Sequence, residues 1–231
     1  MTQPEDLKRA AAEAAAALVE SGMIVGLGSG STALWFVRAL SGRIAGEKLD
    51  VRCVATSKAT QALAEVLAIP MLELNQVTID LTVDGADEIA PGLQLIKGAG
   101  AALLREKLVW EASRRCVVVA DASKRVAQLG RFPLPIEVVA FGHESTALRI
   151  CDALSECDLG AAPRLRIRDG EAVLTDSGNL IYDVACGAIE DPALLAEALD
   201  SVTGVVEHGL FLDLADEAFV ASAKGVERLA P

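Results

Sequence analysis

The chain has 231 residues, 52% of them apolar and only 3% aromatic, so an interior of Ala, Val, Leu and Ile can fill one large core or a main core with a smaller companion. Its net charge of −12 excludes nucleic acid as the main partner, because phosphate backbones need clustered Lys and Arg, yet allows one small phosphate held by backbone N–H groups and a few lysines. No apolar run reaches the roughly 18 residues of a membrane span, and Glu13 interrupts the Ala-rich N-terminal stretch, so neither a membrane segment nor a targeting signal is expected.

Thr2-x-x-Glu5 has the form of a capping box, opening an Ala-rich helix that runs to about Glu20. MIVGLG follows as a buried strand, then a glycine turn and the helical pattern TALWFVRAL. The alternation continues with VRCVAT (strand), KATQALAEVLA (helix), TIDLTVD and LQLIKG (strands), AALLREKLVWEAS (helix) and CVVVAD (strand). This order predicts an α/β fold with a Rossmann-like parallel-sheet main domain and helices on both faces.

Beyond Gly130 the pattern changes. RFPLP places two prolines within four residues and marks a boundary. IEVVAF, ESTALRICDALSE, RLRIRD with AVLTD, NLIYDVA, DPALLAEALDSV and GVVEHGLF then read strand-helix-strand-strand-helix-strand, the order of a smaller ferredoxin-like α+β domain. Residues 1–129 and 209–231 are assigned to the main domain, to which AFVASAKGVERLA returns, and residues 130–208 to the small one.

Polar and glycine-rich segments sit where the strand-like runs end. Gly26-Leu-Gly28-Ser29-Gly30-Ser31-Thr32 has Ser31 where a dinucleotide fingerprint wants glycine, and lacks the Gly-Lys-Ser/Thr ending of a nucleoside-triphosphate loop. It suits a phosphate monoester at a helix start, although the same residues also make an ordinary capped turn. Asp84 and Asp87 flank Gly85-Ala86, either as carboxylates sharing proton-transfer work or as a strand-end turn and a cap. Lys97 precedes Gly98-Ala99-Gly100, and either neutralises a developing oxyanion or snorkels from a strand terminus. Glu106, one turn into the next helix, is by helix periodicity alone a solvated residue. Thr56-Ser57-Lys58 and Asp121-Ala-Ser123-Lys124 close two more strands. In a parallel sheet such ends share one edge, where open α/β folds hold ligands, so a single cleft is expected.

The remaining polar residues read more plainly. Asp176-Ser-Gly-Asn179 is a hairpin turn, and His143, Glu144 and His208 receive no chemistry. With only two histidines, a His-based metal site is not expected. Five cysteines without a CxxC pair, mostly inside apolar runs, read as reduced, buried residues of a cytoplasmic protein.

The blocks VGLGSGSTA, VDGADEI, IKGAGAALLREKL, VADASK, FPLPIEV, TDSGNLIYDV and GVVEHGLF, in this order over nearly the whole chain, resemble the type A ribose-5-phosphate isomerases. The pairing of DGADE with KGxGAALxREK carries the specificity. The resemblance implies reversible interconversion of D-ribose 5-phosphate and D-ribulose 5-phosphate through a cis-enediolate, without cofactor or metal, by a homodimer or homotetramer. It makes Glu106 the catalytic base and Asp84, Asp87 and Lys97 the substrate-handling set. Ser29, Gly30, Ser31 and Thr32 become binding residues, as do Gly85, Ala86, Gly98, Ala99 and Gly100, with Lys124 and Lys8 as further ligands. Ser29 stands where many members carry Thr, and Ala99 replaces a frequent Gly; TSKAT departs more, so Lys58 is left out. The alternatives are a non-catalytic sugar-phosphate sensor on the same fold, although such regulators usually carry a DNA-reading module, and a coenzyme A transferase or amino-sugar deaminase on a similar fold; a transferase needs a glutamate nucleophile forming a thioester, whereas the Glu106 motif matches the isomerase pattern.

Overall fold

The structure is a computed structural model that describes residues 3–75 and 77–231. In chain order its regular elements begin with α1 (Pro4–Ala16), β1 (Ile24–Leu27), α2 (Gly30–Glu47), β2 (Arg52–Ala55), α3 (Lys58–Val66) and β3 (Leu81–Gly85). Next come β4 (Glu88–Ile89), β5 (Leu95–Ile96), α4 (Leu103–Glu111), β6 (Cys116–Asp121), β7 (Leu134–Val138) and α5 (His143–Glu156). The series closes with β8 (Arg164–Leu165), β9 (Ile167–Arg168), β10 (Glu171–Ala172), β11 (Leu180–Val184), α6 (Pro192–Asp200), β12 (Val205–His208), β13 (Leu210–Phe211), β14 (Glu217–Ser222) and β15 (Gly225–Leu229).

Contacts divide the chain into two compact units: unit 1 is Met1–Ala86, Arg105–Lys124 and Asp213–Pro231, and unit 2 is Asp87–Leu104 and Arg125–Leu212. Residues 87–104, which the sequence alone assigns to the main domain, pack with unit 2.

Unit 1 is built on a six-stranded sheet of order β15-β14-β6-β3-β1-β2, parallel except for the β14–β15 hairpin. Successive side chains of a strand face opposite sides, and the two cores follow that alternation. Val25, Cys53, Leu81, Val83, Val117 and Val119 pack with Ala11, Ala15, Phe36, Val37 and Leu40 of α1 and α2. Ile24 and Val54, one residue out of phase, pack with Val109 and Ala112 at the other side. The expected capping box rests on Thr2, which lies outside the described residues; α1 opens at Gln3, whose N–H donates to Asp6 Oδ2 at 3.3 Å. The helix stops at Ala16, short of Glu20, where Arg43 Nη1 takes the carbonyls of Ala16 and Val19.

Unit 2 holds a four-stranded antiparallel sheet of order β12-β7-β11-β8. With α5 and α6 this is the β-α-β-β-α-β succession expected of a ferredoxin-like fold, with β9–β10 as an inserted hairpin. Ile136, Val138, Tyr182 and Val184 pack against Ile150, Leu154, Leu195 and Leu199 from the helices. Two strand expectations change. β7 begins at Leu134 and includes Pro135, which pairs with Asp183 and whose carbonyl accepts the Gly209 N–H at 2.8 Å. GVVEHGLF breaks at Gly209 into β12, which pairs with β7, and β13, which pairs with β5; a side chain at Gly209 would overlap the Lys97 carbonyl and Pro135. β13 joins β5 and β4 in a separate three-stranded antiparallel sheet.

Candidate active site

The carboxyl ends of β1, β2, β3 and β6 share one edge of the parallel sheet in unit 1, so four of the five expected strand ends do coincide. The fifth ends a strand of a different sheet: Lys97 follows β5, which pairs antiparallel with β4 and β13 in unit 2. The run LQLIK is too short to reveal its partner, and the βα alternation around it made a parallel sheet the natural reading.

Within unit 1 the organising group is Asp84, fully buried at the end of β3. Its Oδ1 accepts N–H bonds from Ser29 at 2.9 Å and Gly85 at 2.7 Å, while Trp110 Nε1 lies 3.4 Å from Oδ2. Gly28 must lack a side chain, because a Cβ there would occupy the place of the Asp84 carboxylate. Ser29 is the N-cap of α2, and its Oγ pairs with Thr56 Oγ1 at 2.6 Å. Thr56 Oγ1 is in turn 3.1 Å from the Leu27 carbonyl. The loop is therefore anchored from β2 and β3, and the first-turn N–H groups of Gly30, Ser31 and Thr32 head an 18-residue helix whose dipole favours an anion.

Glu106 lies in the first turn of α4 and is 4% exposed. Trp110 is four residues further along, on the same helix face, and reaches Asp84. That face is turned inward, against the solvated placement that helix periodicity alone suggests for Glu106. The sequence carries one signal for Trp110, its i,i+4 spacing from Glu106. Lys124 ends a short helical turn after β6, where Asp121 Oδ1 accepts the Ser123 N–H at 2.9 Å. Lys8 sits on α1 and pairs with Glu5 Oε1 at 2.7 Å.

In unit 2, Lys97 is 2% exposed, with Nζ 5.4 Å from the Phe211 ring centroid. Its N–H donates to the Gly209 carbonyl at 2.9 Å. Gly98 has φ +110° and lies against Pro135, a conformation that L side chains rarely adopt. The Ala101 N–H closes the turn on the Gly98 carbonyl at 3.0 Å, and Asp87 Oδ2 accepts the Ala99 N–H at 2.9 Å. Asp87 is thus tied to the glycine turn, and Asp84 to the Ser29 loop.

One grouping among the described residues has metal-ligand chemistry: Asp200, Glu207 and His208, with ligand atoms within 4.8 Å of one another. His208 Nδ1 accepts the Leu210 N–H at 3.2 Å, which leaves the ring proton on Nε2, 3.3 Å from Asp200 Oδ1. Of the five cysteines expected to be buried, Cys53 and Cys116 are, while Cys151, Cys157 and Cys186 are partly exposed; desolvation still pushes the Cys53 thiol up to about 12 and that of Cys186 to about 11. Among the described residues no helix is long and apolar enough to cross a membrane.

A model of the family described as ribose 5-phosphate isomerase A (phosphoriboisomerase A) matches residues 52–225. Ribose-5-phosphate isomerase A of Caulobacter vibrioides is 66% identical over 228 residues, covering 98% of this chain and 99% of that protein. The solved structure of ribose 5-phosphate isomerase A from Methanocaldococcus jannaschii superposes with a TM-score of 0.90 at 39% identity, over 99% of this chain and 100% of its own. A D-ribose-5-phosphate isomerase solved in complex with phospho-erythronic acid gives 0.91 at 36% identity, with the same coverage.

Proposed function

The chain belongs to the ribose 5-phosphate isomerase A family and is an isomerase of pentose phosphates, and we propose that it interconverts D-ribose 5-phosphate and D-ribulose 5-phosphate through a cis-enediolate, with Glu106 as the base. The observation that carries this is the buried glutamate on the inward face of α4, within a chain 66% identical to a named isomerase over almost its full length.

The phosphate is read as bound by the N–H groups of Gly30, Ser31 and Thr32, with Lys124 and Lys8 supplying positive charge. Asp84 or Asp87 moves the proton between the ring oxygen and the anomeric hydroxyl as the furanose opens. Glu106 then takes the proton from carbon 2 while the carbon 1 carbonyl becomes the enediolate oxygen. Lys97 and the N–H groups of Gly98 and Gly100 stabilise that oxygen, while the Ala99 N–H stays with Asp87. Returning the proton to carbon 1, as the oxygen 2 proton passes to oxygen 1, completes the ketose. Gly85 and Ala86 let the chain pass close to the sugar.

A positioned base is worth about 10²–10⁴-fold, and one oxyanion donor about 10²–10³-fold. Glu106→Gln is therefore expected to lower turnover by at least about 10²-fold with substrate affinity little changed. The check is a ribose 5-phosphate conversion assay with chelator present, followed together with exchange of the carbon 2 hydrogen into solvent. Unchanged turnover in the variant would remove Glu106 as base, and binding without any conversion by the wild type would favour a sensor.

The protein is further read as cytoplasmic and as a homodimer or homotetramer. Free cysteines support the first reading. Phe141 and Leu148, 94% and 70% exposed on unit 2, support the second.

A further inference from the structure

Arg166 has no place in the chemistry above, yet it is one of the most committed side chains of unit 2. It lies between β8 and β9 and is 11% exposed. Its Nε donates to Asp183 Oδ2 at 2.8 Å, and its Nη2 to Asp183 Oδ1, so Asp183 occupies one full side of the fork. The remaining nitrogen, Nη1, donates to the carbonyls of Gly98 at 2.8 Å and Ala99 at 3.1 Å. These are the two residues that directly follow Lys97.

Ala99 is exposed, so water is available to its carbonyl. Bringing a guanidinium out of water to serve such a turn is unfavourable unless the geometry is well satisfied. Here the Asp183 carboxylate balances the charge and fixes the guanidinium plane, and that plane then holds two carbonyls at once. The N–H side of the same turn is held separately, Lys97 N by the Gly209 carbonyl and Ala99 N by Asp87 Oδ2. Arg166 holds it from the carbonyl side, where the Gly98 carbonyl also accepts the Ala101 N–H at 3.0 Å. A peptide whose carbonyl is fixed has its N–H fixed as well, because the unit is planar.

We infer that Arg166, oriented by Asp183, is a positioning residue: by holding the Gly98 and Ala99 carbonyls it fixes the Ala99 N–H, which Asp87 receives, and sets the direction in which the Gly100 N–H faces the reacting sugar oxygen. The inference rests on reading the Lys97–Gly100 turn as the oxyanion-stabilising segment. Misplacement of a positioned group by about 1 Å can reduce rate by about 10²-fold.

Arg166→Lys tests it, since lysine keeps the charge beside Asp183 but cannot bond the carboxylate and both carbonyls together. The expected result is a kcat about 10–100-fold lower per folded molecule, with KM within about threefold and the thermal transition close to wild type. Asp183→Asn, which loosens the fork without removing it, should give a smaller loss of the same kind. Amide hydrogen exchange should quicken at Ala99 and Ala101 in both variants, while amides of β7 and β11 stay as protected as in the wild type. Wild-type kcat in Arg166→Lys, or a loss that merely tracks the folded fraction, overturns the inference; so does unchanged exchange at Ala99. Lys97→Met separates the two readings. If it is inactive, the turn keeps its assigned part and Arg166→Lys decides the positioning role; if it is as active as wild type, the reading of the turn falls and this inference with it.

Discussion

Two carboxylates of the Asp84–Glu88 segment do work that their spacing does not announce. Asp84 receives two backbone N–H groups on one oxygen and so holds the Ser29 loop whatever else it does. Glu88 is fully buried, accepting the Gly130 N–H at 2.8 Å on Oε2 and the Phe132 N–H at 2.7 Å on Oε1. Glu88→Gln turns an amide NH₂ toward one of those N–H groups. Such a clash in a buried site should destabilise the protein by about 2–4 kcal/mol, with kcat of the folded enzyme unchanged, as urea titration beside steady-state assay will read. An altered kcat at unchanged stability would instead give Glu88 a chemical part. The sequence displayed the cluster of charge here but not its division of labour, because a carboxylate that holds a loop and one that meets a substrate look alike until burial and donors are known.

At the scale of elements, the legible features were those set by periodicity. Val117–Val119 and Val25–Leu27 read as buried strands because they are short apolar runs closed by polar or glycine turns, and they are the middle of the sheet. What could not be read was pairing across distance: β5 has two residues, and only its partners β4 and β13 place it outside the parallel sheet. Cys53 on β2 carries a consequence of burial. Its thiol is raised from 9.0 to about 12, so the fold binds that proton more tightly than the unfolded chain does. The resulting stabilisation is complete below about pH 9 and is lost as pH rises towards 12, reaching about 2 kcal/mol by pH 10.5. Urea midpoints measured under reducing conditions should therefore fall more steeply between about pH 8 and 10.5 in the wild type than in Cys53→Ala. Equal slopes would mean that the thiol ionises without penalty.

For the molecule as a whole, composition argued against nucleic acid and pointed to an aliphatic interior, while the grouping of residues 87–104 with unit 2 was out of reach. A motif is continuous in sequence, and nothing in Asp84-Gly85-Ala86-Asp87 signals that the chain leaves one compact unit for another after Ala86. The exposed Phe141 and Leu148 belong to this scale too. Light scattering is expected to give a dimer or tetramer at micromolar concentration, and Phe141→Asp to shift the population towards monomer. A monomeric wild type would sink the assignment of that surface to self-association.

The position of β14 also bears on how the protein is made. It lies between β6 and β15, yet its residues, 217–222, are translated long after those of every other parallel strand in its sheet. Until they leave the ribosome, Val117–Ala120 present an apolar edge with no neighbour on one side. A nascent chain that already contains α1 to α4 therefore still cannot close its sheet, and its open edge is a place where another chain can pair until synthesis is complete.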